Sequence, residues 1–204
     1  MKTRIGWALG AVLALALVGQ LVAYRAMGSA PTAHASWIFE AKTFGEARQK
    51  AQAIVLADVI AVEQGDDLVV KVPAEPNGEA RYPTQRVSLR VIKGYQGAAK
   101  ADAVITLFQT GGSMPDVEQT VNGKALPSTA QVLILEGDPL YQVGERYLLL
   151  LEPGPRAMLR TISPEGRYRV GGNGTLTAMV DKEATREVHG KSLAHVEKLL
   201  VAGR

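Results

Sequence analysis

The three histidines are the first residues to consider for catalysis or metal binding, and they lie far apart in the sequence. His34 precedes the first predicted helix, whereas His189 and His195 are six positions apart near the C-terminus. On one helix, six positions separate two side chains by about 120° around the axis. His189 and His195 therefore could not bind one metal ion from a single helix face, and we predict solvated histidines and no metal site.

The sequence also lacks the usual residue patterns of nucleophilic catalysis. The chain has no cysteine, which excludes a thiolate nucleophile, a disulfide and a cysteine-type zinc site. Ser113 lies in the sequence Gly112-Ser113-Met114, which is not the G-x-S-x-G of a nucleophile elbow. A Ser-His-Asp arrangement would need one of the two C-terminal histidines to reach a serine elsewhere in the fold. We predict no catalytic residue and no cofactor.

Two acidic clusters and two glycine clusters could suggest ligand sites. Asp66-Asp67 and Glu136-Gly137-Asp138-Pro139 could offer carboxylate and carbonyl oxygens to calcium, but neither has the regular spacing of a calcium-binding loop. Gly111-Gly112 and Gly171-Gly172-Asn173-Gly174 lack the following helix and the lysine of a phosphate-binding loop. We predict turns at all four places.

The charge of the chain argues against a positively charged surface that binds nucleic acid. The sequence has 23 basic and 20 acidic residues, and Lys2, Arg4 and Arg25 lie in residues 1–35, which contain no acid. Residues 36–204 therefore carry 20 residues of each sign and no net charge. Affinity for a phosphate backbone depends mainly on clustered positive charge, so we predict no nucleic-acid partner.

An apolar segment near the N-terminus indicates export. Residues 5–23 contain one strongly polar residue and follow two basic ones. A helix of this length rises about 28 Å, close to the hydrocarbon thickness of a bilayer. The segment is a retained anchor, or a signal peptide cleaved at Ala26-Met27-Gly28 or Ala33-His34-Ala35. We expect a single-pass membrane protein with its C-terminal domain outside the cytoplasm; secretion or a periplasmic location after cleavage is the alternative.

Helical patterns are predicted at both ends of the remaining chain. Thr43-Phe44-Gly45-Glu46 fits a capping box, in which the hydroxyl and the carboxylate satisfy free backbone amides. Apolar residues then recur at helical spacing, with polar residues between them, and predict an amphipathic helix to about Val55 that packs on its own core. Ser192 to Leu200 predicts a second amphipathic helix.

Strand patterns fill the middle of the chain. In residues 86–94, Val87, Leu89 and Val91 alternate with polar residues, as in a strand with one buried face. The uninterrupted leucines of 146–151 predict a central strand buried on both sides. Long polar loops are predicted at 73–83 and at 111–129, where binding often occurs. Further strands are predicted at 57–63, 68–72, 103–109, 131–136, 158–162, 167–170 and 175–180.

Many short strands between turn signals predict a mainly β fold. We expect a small OB-like Greek-key barrel with an N-terminal and a C-terminal amphipathic helix, preceded by a hydrophobic leader helix. The predicted organisation is a signal peptide or anchor at 1–27, a linker at 28–42, the barrel domain with its leading helix at 43–182, and a C-terminal helix at 183–204.

Three sequence landmarks carry a resemblance to known proteins. Ala57-Asp58-Val59-Ile60, residues 87–94 and residues 143–151 resemble the AD-V-V, V-x-V-x-K-G and G-E/K-x-Y-L patterns of exported bacterial modules of unknown role. The same order is similar to the N-terminal barrel of tissue inhibitors of metalloproteinases and to netrin-like domains, which belong to the OB-fold class. The resemblance covers about residues 43–170 and implies an OB-type barrel.

The chain departs from those inhibitors in the feature that carries their activity. They chelate the protease zinc through an N-terminal cysteine, and disulfides tie their barrels, whereas this chain has no cysteine. Inhibition by that mechanism is therefore not implied, and the fold alone says little about function.

The leading hypothesis is a non-enzymatic extracytoplasmic binding or accessory module, tethered to the membrane through residues 5–23, for a protein or glycan partner. It would present a barrel-side groove or the 111–129 loop. The alternatives are an envelope hydrolase that uses Asp and Glu side chains alone, and a protease inhibitor that acts through an exposed loop.

Overall fold

A computed structural model describes residues 32–33, 39–71, 78–114, 120–121, 124–125 and 131–202. The predicted leader helix lies outside these residues, as do most of the linker and His34. Among the described residues, none of the helices has the length and apolar character needed to cross a membrane.

The described chain contains fourteen strands, three α-helices and two short 3₁₀ turns. The 3₁₀ turns cover Pro155–Ala157 and Pro164–Gly166, and the helices are α1 (Phe44–Lys50), α2 (Glu183–Arg186) and α3 (Leu193–Ala202). The strands are β1 (Thr32–Ala33), β2 (Ala53–Gln64), β3 (Leu68–Lys71), β4 (Glu79–Tyr82), β5 (Thr84–Gln96), β6 (Val104–Thr110), β7 (Gly112–Ser113), β8 (Thr120–Val121), β9 (Lys124–Ala125), β10 (Val132–Leu135), β11 (Arg146–Pro153), β12 (Leu159–Thr161), β13 (Arg167–Val170) and β14 (Leu176–Ala178).

Five of these strands close into a barrel. The sheet order is β12-β6-β5-β2-β11, and β12 also pairs with β11, which joins the two ends. β12 runs parallel to β6 and antiparallel to β11. Numbered along the chain, the five strands follow the circular order 1-2-3-5-4, so the connection crosses over once as in a Greek key. The predicted mainly β fold with a small OB-like barrel is confirmed.

The barrel interior is apolar because successive side chains of a strand point to opposite faces. Val55, Ala57 and Val59 of β2 face inward with Val87, Leu89 and Val91 of β5, and with Tyr147, Leu149 and Leu151 of β11. These nine residues are each less than one tenth exposed and lie inside the barrel.

A second apolar layer lies between the barrel wall and the elements packed on it. Ile54 and Leu56 of β2, with Leu148 and Leu150 of β11, face outward into a cluster with residues of α1, β13, β14 and α3. β11 is thus covered on both sides, and Tyr147–Leu151 are at most 2% exposed. The prediction of a central strand buried on both faces is confirmed.

The first helix is shorter than its apolar spacing predicted. The Thr43 hydroxyl accepts a hydrogen bond from the Glu46 amide at 3.1 Å, as a helix cap does, but the Glu46 carboxylate accepts from the Lys42 amide and not from Thr43. Ala51 is already extended, with φ −66° and ψ 131°. The helix ends at Lys50 and not near Val55, because the β-branched residues that follow continue into the barrel strand.

The C-terminal segment contains two helices where the sequence predicted one. α2 is a single turn, and α3 begins after Ser192. His189 lies on the turn between them and His195 lies on α3, so the two histidines do not share a helix as the sequence argument assumed. α3 packs on the outer layer through Val196 and Leu200.

The described residues fall into two compact units. The barrel unit comprises the described parts of 37–63, 86–109 and 137–204, and the small-sheet unit comprises those of 1–36, 64–85 and 110–136. The small-sheet unit has a β3-β4 hairpin, a β8-β9 hairpin and a three-stranded sheet in the order β1-β10-β7. The predicted strands at 68–72 and 131–136 belong to this unit and not to the barrel.

Candidate functional site

The side of the barrel formed by β5 and β6 keeps polar and aromatic side chains accessible. We call Arg86, Ser88, Arg90, Thr106 and Phe108 the outer wall. The inward residues of the same strands fill the barrel, so strand alternation places these five on the opposite face. Both arginines are exposed, and the other three residues are half-buried.

The register between β5 and β6 brings these residues together. The Val91 amide donates to the Ala103 carbonyl at 2.9 Å, and the Asp102 amide donates to the Val91 carbonyl at 2.8 Å. Asp102 has φ +63°, as in a bulge at the start of β6. Continued along both strands, this antiparallel register pairs Ser88 with Thr106 and Arg86 with Phe108, so we infer that a guanidinium lies beside an aromatic ring.

Packing explains why this face stays open. The C-terminal half of β5 is covered, since Ile92 and Tyr95 pack in the outer apolar layer with α3. The outward face of β6 enters none of the three apolar clusters of the described chain, and Phe108 is absent from all of them. Within the described residues, the outer wall therefore lies outside the apolar clusters in which the helices pack.

The two arginines of the outer wall lie in different electrostatic environments. Arg86 lies 3.6 Å from the Glu63 carboxylate, and both side chains are more than half exposed. Such an exposed ion pair contributes little to stability. Arg90 has no ion-pair partner among the residues that the structure describes. Its guanidinium is available to donate hydrogen bonds to carboxylate, phosphate or hydroxyl oxygens.

A second, buried cluster surrounds Arg167 inside the barrel unit. The Arg167 side chain is fully buried and lies 3.0 Å from the Asp138 carboxylate. It also donates to the Pro139 carbonyl and, at 3.1 Å, to the Tyr147 hydroxyl. The Gln109 side-chain amide donates to the Pro139 carbonyl at 3.1 Å. These bonds fasten the segment that follows β10 to the barrel.

Aromatic rings complete the surroundings of the guanidinium. The centroid of the Tyr141 ring lies 3.5 Å from the Arg167 guanidinium carbon, and that of Tyr147 lies 4.7 Å from it. The two rings meet edge to face, with centroids 5.1 Å apart. Stacking of this kind suits arginine because its planar cation is weakly hydrated. Burial raises the pKa of the Asp138 carboxyl, and the neighbouring Arg167 opposes that shift.

The cluster is closed to solvent, because all four of its charged and aromatic side chains are less than one tenth exposed. Arg167 Nε and the Tyr141 hydroxyl are buried without a hydrogen-bond partner in the described structure. The sequence allowed a calcium ion at residues 136–139, but the cation beside Asp138 is the guanidinium of Arg167. The hydrogen bonds of this cluster hold a turn in place, as the sequence predicted for residues 136–139.

A third polar contact fixes the start of the barrel unit. The Glu165 carboxylate is buried and accepts hydrogen bonds from the Ala41 amide at 3.1 Å and from the Ser163 hydroxyl at 2.9 Å. Beyond it, Glu40 forms an ion pair with Lys182 at 2.6 Å. The end of the predicted linker is therefore attached at Ala41 to the 3₁₀ turn before β13.

The structure separates the other residues that the sequence singled out. His189 and His195 are exposed, and the His189 ring accepts a long hydrogen bond from the Ala178 amide. Ser113 is exposed on β7, with its carbonyl accepting from Gln64. The Asp66 carbonyl accepts from the Thr84 hydroxyl at 2.7 Å. None of these contacts joins a nucleophile to a base.

Most acidic side chains of the described barrel unit form ion pairs with arginine or lysine. Within the described residues, no group of three or more His, Asp or Glu side chains is placed to hold a metal ion. At least eight carboxylates of the barrel unit pair with arginine or lysine, namely Glu40, Asp58, Glu63, Asp138, Glu145, Glu152, Asp181 and Glu197.

The sequence reasoning missed the two features that the structure makes prominent. Arg167 lies in Arg167-Tyr168-Arg169, where the pattern alone does not show which arginine is buried. Phe108 lies in a predicted strand, and its outward direction depends on a register that the sequence does not reveal. Phe108 is one of three phenylalanines in the chain, which is a weak signal available beforehand.

The comparisons with known proteins add no relative. No protein-family model matches the chain, and neither the curated proteins nor the solved structures contain a match.

Proposed function

We propose that this chain is an exported, membrane-tethered, non-enzymatic module that binds a partner on the outer wall of its barrel, and that the partner is a glycan or a protein. The observation that carries the proposal is the half-buried Phe108 on the outward face of β6, which the register of β5 and β6 places beside hydroxyl and guanidinium groups.

The chemistry of the outer wall suits a glycan in particular. The apolar face of a sugar ring packs on an aromatic side chain, while its hydroxyls need donors and acceptors. Ser88 and Thr106 supply hydroxyls, and Arg90 supplies donors. By analogy of fold, OB-type barrels bind oligosaccharides and oligonucleotides on the corresponding strands and neighbouring loops. The balanced charge of residues 36–204 favours the first of these two ligands.

The state of the carboxylates supports a binding role over hydrolysis. A glycosidase needs two carboxyl groups facing each other about 5 to 10 Å apart, one of them protonated. Asp138 is the buried acid with a raised pKa, and the group that faces it is Arg167. The carboxylates of Asp58, Glu145 and Glu152 are each held by an arginine.

Tethering is consistent with the way the barrel unit begins. The buried Glu165 carboxylate holds the Ala41 amide, Lys182 forms an exposed ion pair with Glu40, and the apolar segment at 5–23 precedes these residues in the sequence. A linker between an anchor and a fixed attachment point would keep the module close to the membrane while its outer wall remains accessible.

In-cell crosslinking tests the proposed site. A photoreactive benzoylphenylalanine placed at Phe108 should give an adduct upon illumination of intact cells. The same group placed at Val143, an exposed valine on the loop before β11, serves as the control and should give none. Digestion of the adduct with a protease or with a glycosidase then identifies the partner class. Equal labelling from both positions, or from neither, contradicts the proposal.

Affinity measurements test which side chains carry binding. The full chain in detergent is titrated with soluble envelope polysaccharide. Phe108→Ala and Arg90→Ala should each weaken binding by about 10-fold or more, because central aromatic and arginine contacts dominate interfaces. Val143→Ala should leave the affinity unchanged. An unchanged affinity of Phe108→Ala for a polysaccharide that the wild type binds would move the site off the outer wall.

A further inference from the structure

The edge of β10 in the small-sheet unit is covered by a segment from far earlier in the chain. β1 pairs with β10 in parallel, with Thr32 opposite Ile134 and Ala33 opposite Leu135. The other neighbour of β10 in the sheet order is β7. Two residues of the predicted linker therefore act as a strand added to a sheet edge.

β10 is a strand whose edge favours addition of another strand. Its sequence is Val-Leu-Ile-Leu, which combines high β-propensity with no charge. Leu133 and Leu135 are buried in the unit's apolar cluster, while Val132 and Ile134 are half-buried. A strand of this kind with unpaired N–H and C=O groups is a template for pairing with other chains, so a covering strand has a clear physical role.

The described contact of the covering strand is small. Of the residues that the structure describes, two pair with β10, and they account for only a few backbone hydrogen bonds. Its occupancy depends on its covalent link to the rest of the chain, which raises its effective concentration. A competing strand in trans can replace a two-residue contact if the link is cut or if the competitor pairs over a greater length.

We propose that the β10 edge is an acceptor site for an extended polypeptide strand, which residues 32–33 fill intramolecularly. The ligand class is an extended segment of small or β-branched residues that runs parallel to β10, as Thr32 and Ala33 do. Recognition of this type uses main-chain hydrogen bonds for affinity. The site does not depend on glycan binding by the outer wall.

The same segment contains a candidate processing site, which connects the edge to export. Ala33-His34-Ala35 fits a signal-peptidase motif. Hydrolysis of the bond between Ala35 and Ser36 consumes one water and separates β1 from the rest of the chain. The β10 edge then becomes available to a strand of a partner protein. If the leader is retained, β1 stays attached to the chain and continues to cover the β10 edge.

A disulfide trap tests the intramolecular pairing. The chain has no cysteine, so the double variant Thr32→Cys/Ile134→Cys can form only one intramolecular bond. Directly paired residues satisfy the distance that a disulfide requires. We expect this variant of the full chain to oxidise readily. The control Thr32→Cys/Val132→Cys, displaced by two residues along β10, should oxidise at least about 10-fold more slowly. Equal rates would overturn the pairing.

A synthetic peptide with the sequence of residues 28–36 tests exchange at the same edge. Added in excess to the reduced Thr32→Cys/Ile134→Cys chain, it should slow disulfide formation in proportion to its concentration. A peptide with proline at the two paired positions should have no effect, because proline lacks the amide donor. If the unmodified peptide also leaves the rate unchanged, β10 is not an acceptor site.

Hydrogen exchange gives an independent measurement without cysteine. In Thr32→Pro/Ala33→Pro, the amides of residues 131–136 should exchange at least about 10-fold faster than in the wild type, and the peptide should restore protection. Ala35→Pro, with a proline outside the paired residues, is the control and should behave as the wild type. Peptides from β2 and β11 report in the same experiment whether the barrel is intact. Unchanged exchange in the double-proline variant contradicts the proposal.

Discussion

At the scale of single residues, Arg167 and Asp138 show how a buried ion pair can organise a structure. Neither group would be stable in the interior without the other, since an isolated buried charge is strongly unfavourable. The stacked rings of Tyr141 and Tyr147 replace water around the guanidinium. The pair thus determines where the chain lies between β10 and β11.

Removing one partner of this pair should destabilise the folded protein more than removing both partners. Asp138→Asn should lower the free energy of unfolding by about 3–5 kcal/mol, because it leaves Arg167 buried and uncompensated. The double variant Asp138→Asn/Arg167→Met should recover most of that loss, since an apolar residue of similar length fits the same space. Chemical denaturation measures both. A double variant less stable than the single one would contradict this account.

The hairpin between β11 and β12 contains local backbone strain. Arg156 and Ala157 have φ values of +56° and +58°, a region that costs a residue with a Cβ about 1–2 kcal/mol. Both are exposed, so neither side chain is needed in the core. Glycine adopts this conformation without the steric cost.

Ala157→Gly should therefore stabilise the protein, against the usual effect of glycine. We expect Tm to rise by a few degrees, corresponding to about 0.5–1 kcal/mol. Ala194→Gly is the matched control, because Ala194 is exposed on α3, where glycine should cost about 1 kcal/mol. Thermal unfolding followed by circular dichroism measures both changes. A loss of stability in both variants would contradict the predicted strain.

At the scale of elements, α3 is fixed to the barrel by apolar packing and by one carboxylate. Glu197 accepts a hydrogen bond from the Tyr95 hydroxyl at 2.6 Å and from Lys93 at 2.9 Å. The hydrogen bond from Tyr95, followed by that from Lys93, lowers the pKa of Glu197 below its usual value. Val196 and Leu200 provide the packing on either side.

The contribution of Glu197 to the stability of the fold should decrease as the pH falls. A carboxylate with a lowered pKa in the folded state stabilises at pH values above its unfolded pKa and loses that effect as pH falls through the folded value. Glu197→Gln should therefore be less stable than the wild type at pH 7, and the difference should shrink towards pH 3. Glu187→Gln, an exposed acid on the turn before α3, is the control. A difference independent of pH would exclude this role of Glu197.

At the scale of the whole molecule, the described residues of the two units differ in how much apolar surface they bury. The barrel unit has an interior cluster and an outer cluster. The described core of the small-sheet unit consists of Leu133 and Leu135, with Tyr82 and Met114 packed against them. Elements with few buried apolar contacts open at lower free energy than core strands.

Native-state hydrogen exchange should resolve this difference. Amides of the β3-β4 hairpin should exchange faster than those of β2 and β11, whose neighbours cover them on both faces. The measurement is mass spectrometry of peptides from the full chain under conditions that keep it folded. Uniform protection across both units would contradict the predicted distribution of stability.

The sequence by itself determined the type of fold, because strand alternation and helical spacing are local properties of the chain. The alternation in residues 86–94 and the leucine run of 146–151 both correspond to barrel strands. The composition also determined that cysteine chemistry is absent. The leader and the proposed export are read from the sequence alone and remain predictions.

Only the tertiary structure decided which residues meet. The end of α1 was misplaced because Ala51 and Ile54 fit a helical stripe as well as a strand, and pairing with β11 selects the strand. Burial of Arg167, the outward direction of Phe108 and the pairing of Thr32 with Ile134 depend on contacts between residues distant in the sequence. A pattern read along the chain contains no information on register between strands, so such contacts are set only when the sheet closes.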